Sequence, residues 1–130
     1  MKTLIVEDES TSRKILETHL SPLGPTDMVE NGKVAIQALT TAWEAGEPYD
    51  LVCLDIHMPE MDGKEALKTL REEEEKRGIK AIEGAKVIMV TADDLSETIL
   101  GSFRDGCDYY LVKPIEKDSL FQLLKKAKLV

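Results

Sequence analysis

Five consecutive residues, Leu51-Val52-Cys53-Leu54-Asp55, constrain this chain more than any other stretch. The run is apolar up to its last residue and is bounded by Pro48 before it and Met58-Pro59 after it. A short apolar run between breakers reads as a strand buried on both faces, which places it in the middle of a parallel sheet covered by helices. Its final residue is a carboxylate. Open α/β sheets bind their ligands beyond the carboxyl ends of the strands, so the run delivers Asp55 to the edge where chemistry is done.

The rest of the chain supplies neighbours for that strand. Leu4-Ile5-Val6 is a first strand, with Glu7-Asp8-Glu9 directly at its end. Ser10 to Leu20 carries Ile15, Leu16, His19 and Leu20 on one helical stripe, and Pro22, Gly24 and Pro25 stop it. Asp27-Met28-Val29 is a weak strand suited to a sheet edge, and Asn31-Gly32 turns into a helix with Ala35, Ala38, Leu39 and Ala42 at helical spacing. Asp62, with Glu65 three residues on, has capping-box spacing for a third helix buried through Ala66, Leu67 and Leu70. The run Glu72 to Glu75, followed by Lys76-Arg77, reads as a solvated face with Glu72/Lys76 and Glu73/Arg77 pairs. A fourth strand spans Lys86 to Thr91, and a fourth helix spans Ser96 to Asp105 with Gly106 as its stop. Tyr109 to Val112 is the fifth strand, ending in Lys113-Pro114, and Lys117 to Leu129 is the closing helix. Strand–helix alternation repeated five times predicts an α/β domain, (βα)5, with helices on both faces of a parallel sheet.

A chain of 130 residues is one domain's worth. The net charge of −8 argues against binding the nucleic-acid backbone, which needs a basic surface. No apolar run approaches the ~20 residues of a membrane span, and no signal peptide precedes the first strand. Cys53 and Cys107 have no metal-ligand spacing and read as buried, reduced thiols of a cytoplasmic protein.

Four of the five strands end in a polar or charged group: Glu7-Asp8, Asp55, Thr91 and Lys113. In a parallel sheet these ends share one edge. Carboxylates about 5 Å apart would repel by ~3 kcal/mol per pair at an effective dielectric near 20. Such a cluster must bind a cation, pair with Lys113 or hold protons. An all-oxygen donor set favours a hard ion, with Mg²⁺ first and Mn²⁺ as the alternative. A strand-end carboxylate beside a divalent ion, a lysine and a hydroxyl is equipment for phosphoryl transfer to Asp55.

The segments Val6-Glu7-Asp8-Glu9, Leu54-Asp55-Ile56-His57-Met58-Pro59-Glu60-Met61-Asp62-Gly63, Val90-Thr91-Ala92 and Lys113-Pro114 resemble the response-regulator receiver family, CheY-like, of two-component signalling. The resemblance covers essentially the whole chain. It implies a doubly wound, flavodoxin-like sheet in strand order 2-1-3-4-5. It also implies that Asp55 accepts a phosphoryl group from a phosphohistidine on a histidine kinase or phosphotransfer protein. Glu7, Asp8, Asp55 and the backbone carbonyl of His57 match the Mg²⁺ ligands. Thr91 and Lys113 match the residues that meet the phosphoryl oxygens, and Lys113-Pro114 matches a cis peptide. Tyr110 matches an aromatic that changes rotamer with Thr91, remodelling the face of the fourth helix, fifth strand and closing helix for a downstream protein target. Tyr109 then points to the opposite face. His57 and Asp93 match the positions that tune phosphoryl lifetime, and Phe121, Lys125 and Lys126 are candidate partner contacts.

On this reading the protein is a single receiver domain with no output domain. It is a monomer or a weak phosphorylation-dependent dimer, and it is not an enzyme beyond Mg²⁺-dependent self-phosphorylation and autodephosphorylation. A haloacid-dehalogenase-type phosphatase would want a second Asp two residues after the nucleophile, where His57 stands. A flavodoxin-like FMN protein would want an electropositive first loop in place of Glu7-Asp8-Glu9. The third alternative, a receiver-like binding module that is never phosphorylated, sits poorly with a full set of site residues.

Overall fold

The computed structural model describes residues 1–58, 61–80, 83–92, 101, 103 and 105–130. Its strands are β1 (Thr3–Val6), β2 (Thr26–Val29), β3 (Leu51–Asp55), β4 (Lys86–Thr91) and β5 (Tyr109–Val112). They form one parallel sheet in the order β2-β1-β3-β4-β5. The described helices are α1 (Ser10–Leu20), α2 (Gly32–Glu44), α3 (Gly63–Lys76) and a closing helix (Lys117–Lys126). The predicted fourth helix, 96–105, lies mostly outside the described residues; Gly101 and Phe103 within it are helical.

Side-chain alternation along the strands builds two cores, because successive residues of a strand face opposite sides of the sheet. Leu4 and Val6, Val52 and Leu54, and Val87 and Met89 pack on one face with Leu39 of α2 and Leu67 and Leu70 of α3. Ile5, Leu51, Cys53, Ile88 and Val90 pack on the other with Leu16 and Leu20 of α1 and Leu120 and Leu124 of the closing helix. β3 is buried at all five positions, whereas β2 is partly open at all four. That contrast follows from place: β3 has a strand on each side and a core on each face, and β2 is an edge.

Three details differ from the sequence-based expectations. The closing helix ends at Lys126 rather than Leu129, because Lys128 takes a left-handed conformation at φ 60° and turns the chain. Lys76 pairs with Glu73 at 3.6 Å, not with Glu72, while Arg77 does pair with Glu73 at 3.8 Å. The acidic run is also not wholly a solvated face. Glu74 is buried, with one oxygen 2.6 Å from Arg71 Nη1 and the other accepting the Ala85 N–H at 2.9 Å. The expected cap of α3 is present, as Asp62 accepts the Glu65 N–H at 2.9 Å.

Gly63 explains how α3 starts so close to the end of β3. Its N–H donates to the Ile56 carbonyl at 2.8 Å, and a Cβ there would lie 2.1 Å from the Asp55 carbonyl oxygen. Only glycine lets the helix backbone approach the acceptor strand this closely.

Candidate acidic pocket

The pocket lies at the carboxyl edge of β1, β3, β4 and β5. Glu7 follows β1 with the parity of Ile5, and Asp55 ends β3 with the parity of Leu51 and Cys53, so both sit on the α1 side of the sheet. Glu7 and Asp55 are buried and Asp8 is exposed. Each of the three offers an oxygen within 4.8 Å of the others, the one such cluster among the described residues. Lys113 reaches in from the end of β5, with its Nζ 2.8 Å from Glu7 Oε1, 3.7 Å from Asp55 Oδ2 and 3.9 Å from Glu9 Oε2. Its backbone N–H bonds the Thr91 carbonyl at 2.7 Å, and the Lys113–Pro114 peptide is cis. Thr91 closes β4 fully buried at the same edge.

The electrostatics match an acid cluster in a dry place. Burial pushes the Asp55 carboxyl up to about 8, and the hydrogen bond and charge of Glu7 push the same way; Lys113 and the His57 N–H pull against them. Burial alone would lower the Lys113 ammonium, but Glu7, Asp55 and Glu9 hold it above its ordinary value. Glu7 is wholly buried, and its Oε1 has no aligned hydrogen bond, only the ion pair with Lys113. Two buried carboxylates and an exposed one with a single ammonium leave negative charge uncompensated. An all-oxygen set with spare lone pairs fits a hard divalent cation.

The other expected residues fall at different distances from this centre. The His57 side chain is exposed, and its N–H donates to Asp55 Oδ1 at 3.2 Å. Tyr110 stands on the outer part of β5, exposed, with its ring edge-on to Phe103 at 5.8 Å between centroids. Tyr109 packs instead with the closing-helix core, on the opposite face. Phe121 is half-buried and Lys125 and Lys126 are exposed. Asp93 lies outside the described residues.

Residues 3–125 match the response regulator receiver domain. The chain belongs to that family. Receiver domains are the phosphoacceptor modules of two-component signalling, and this chain is one of them. It is similar to the two-component response regulator ORR41 of Oryza sativa subsp. japonica, 33% identical over 99% of this chain and 95% of the rice protein. It is also 32% identical to hybrid signal transduction histidine kinase L of Dictyostelium discoideum, over 96% of this chain but only 7% of that protein. Among solved structures it resembles the receiver domain of the histidine kinase CKI1 from Arabidopsis thaliana complexed with Mg²⁺ and BeF₃⁻. That match has a TM-score of 0.82 and 28% identity, covering 98% of this chain and 89% of the other. Among the described residues no helix is long and apolar enough to cross a membrane.

Two contributors to the pocket's surroundings carry no sequence signal. Arg13 is an unremarkable position on α1, yet its Nη1 donates to the Glu7 carbonyl at 3.1 Å. Gly32 looks like half of an ordinary Asn-Gly turn, yet its N–H bonds the Met61 carbonyl in the loop beyond Asp55. Both act on backbone carbonyls, Arg13 by reaching back six residues to Glu7 and Gly32 by meeting the loop beyond Asp55, and residue types do not announce such contacts.

Proposed function

We propose that Asp55 is the phosphoacceptor of this receiver and that Glu7, Asp8, Asp55 and the His57 backbone carbonyl hold Mg²⁺ or Mn²⁺ beside it. The observation that carries the reading is the meeting of Glu7, Asp8 and Asp55 oxygens within 4.8 Å, with Lys113 3.7 Å from the acceptor. An Asp55 oxygen attacks the phosphorus of a phosphohistidine on a histidine kinase or phosphotransfer protein. The phosphorus–nitrogen bond breaks, and its electron pair leaves with the imidazole. Hydrolysis later returns the carboxylate and inorganic phosphate. When bound, the divalent ion supplies charge neutralisation for the incoming phosphoryl oxygens. Lys113 pairs with the same oxygens, and Thr91 donates its hydroxyl to one of them. Substituting Asp55 therefore removes the bond-forming atom itself, while substituting Lys113 removes only stabilisation.

On this reading residues 1–130 work as a single cytoplasmic receiver unit whose output is a change of protein contacts. Phosphorylation draws Thr91 toward the new charge, and Tyr110 turns inward from its exposed position beside Phe103. The face carrying β5 and the closing helix, with Phe121, Lys125 and Lys126, then binds a downstream protein or a second receiver. His57 and Asp93 set the lifetime of the aspartyl phosphate.

Intact-mass measurement after incubation with acetyl phosphate tests the chemistry. Wild type gains one phosphoryl group only when Mg²⁺ is present, and Asp55→Asn gains none. An adduct of equal yield in Asp55→Asn removes Asp55 from the role. Absence of any adduct in folded, Mg²⁺-binding wild type favours a binding module instead.

A further inference from the structure

The start of α1 differs from those of α2 and α3. Asn31 caps α2 through the Val34 N–H at 2.9 Å, and Asp62 caps α3 through the Glu65 N–H at 2.9 Å. Glu9, at the same position of α1, makes no side-chain cap. The loop that carries Glu7 and Asp8 is therefore not anchored by the usual device at a helix start. Its internal tie, the Glu9 N–H to Glu7 Oε2, is long at 3.4 Å.

Arg13 stands where that anchor is missing. β1 pairs with its neighbours only as far as Val6, opposite Val29 and Leu54. Past that point the Glu7 N–H still donates to the Val29 carbonyl at 3.0 Å. The Glu7 carbonyl accepts from Arg13 Nη1 at 3.1 Å, and the same nitrogen lies 3.4 Å from Glu30 Oε1, just beyond β2. Glu7 is thus gripped at both backbone polar groups, one by a strand and one by a side chain. Glu30 is 74% exposed, so its ion pair contributes little by itself and mainly orients the guanidinium.

We infer that Arg13 is a positioning residue for the divalent-cation site, holding the Glu7 carbonyl so that the Glu7 and Asp8 carboxylates stay turned toward Asp55. The inference rests on the proposed reading of the acidic pocket as that site. It has a distinctive sign. A guanidinium acting only as a nearby positive charge repels a cation, and removing it tightens binding. A guanidinium that organises the ligands does the reverse, because partners that orient metal ligands typically carry about 10–100-fold of affinity.

Calorimetric titration with Mg²⁺ alone, on wild type, Arg13→Met and Arg13→Lys, decides between these. Arg13→Met is expected to bind Mg²⁺ about tenfold more weakly, at the low end of that range. Arg13→Lys, with one donor head instead of a fork, should fall between. Phosphorylation by acetyl phosphate should need more Mg²⁺ for half-maximal rate in Arg13→Met and approach the wild-type rate at saturation. A merely structural role would lower the urea midpoint and leave the Mg²⁺ affinity alone. Affinity tighter than wild type, or within twofold of it, overturns the inference. Should Arg13→Met fail to fold, Arg13→Lys decides by the same criterion. Wild type that takes up no Mg²⁺ overturns the reading of the pocket and the inference with it, an outcome distinct from Mg²⁺ binding that ignores Arg13.

Discussion

Arg71→Met should be among the most damaging single substitutions outside the acidic pocket, although its chemistry lies at the opposite end of the strands. Arg71 Nε donates to the Gly106 carbonyl at 2.9 Å and Nη1 to the Ala85 carbonyl at 2.9 Å. Its ion pairs are to Glu74 Oε1 at 2.6 Å and Asp108 Oδ2 at 3.0 Å. Those contacts staple α3 to the segments leading into β4 and β5. Methionine keeps much of the stem and removes every donor. Glu74, buried, is then left with only the Ala85 N–H at its other oxygen. Breaking one side of a buried ion pair costs about 3–5 kcal/mol. Arg71 and Asp108 are partly open, at 22% and 28% exposure, which moves the expectation to the lower end. About 3 kcal/mol is a large share of the roughly 5–15 kcal/mol that holds a domain together. It corresponds to a fall in Tm of roughly 10 °C at this chain length. Urea unfolding followed by far-ultraviolet circular dichroism measures the loss. The Arg71→Met/Glu74→Leu double variant should recover part of it, with a coupling of about 2 kcal/mol, because the fully buried charge is gone and the Asp108 carboxylate left behind is partly open and keeps the Val87 N–H at 2.8 Å. A loss below about 1 kcal/mol, or strictly additive effects, would refute the reasoning.

Gly63→Ala should unsettle the acceptor loop, since its Cβ would meet the Asp55 carbonyl oxygen at 2.1 Å and the Ile56 Cα at 2.7 Å; a urea midpoint equal to wild type would contradict that close approach. Both thiols should be silent to a disulfide reagent at pH 8 in the native protein and should react fully in denaturant. Cys53 is fully buried, and burial pushes it up to about 12; burial first, then the Asp108 charge, pushes Cys107 up to about 11. The sign for stability follows. A thiol raised from 9.0 to about 12 on folding stabilises the native state fully below pH 9, and that contribution is lost as pH climbs toward 12, which unfolding at stepped alkaline pH would record. Asp62→Ala should cost about 1 kcal/mol by removing the cap on the Glu65 N–H, a loss that Asp62→Asn should largely avoid.

Much of this protein was determined by its sequence alone. Apolar runs between breakers located the strands, and period-2 alternation set which residues face which core. Placing Glu7, Asp8, Asp55, Thr91 and Lys113 at strand ends was enough to bring them to one edge, because parallel strands share a direction. What local pattern cannot carry is contact between one element and the next, even where the partners lie only a few residues apart in the chain. Glu74 sits in an acidic run and looks solvated until Arg71 and the Ala85 N–H close over it. Gly63 reads as part of a helix start, and only the nearness of the Asp55 carbonyl shows why no side chain fits there. Arg13 is one cation among many on helix surfaces, and its grip on the Glu7 carbonyl exists only once α1 folds back on β1. Tertiary structure decided these because hydrogen bonds and steric contact act over a few ångströms of space, whatever the separation along the chain.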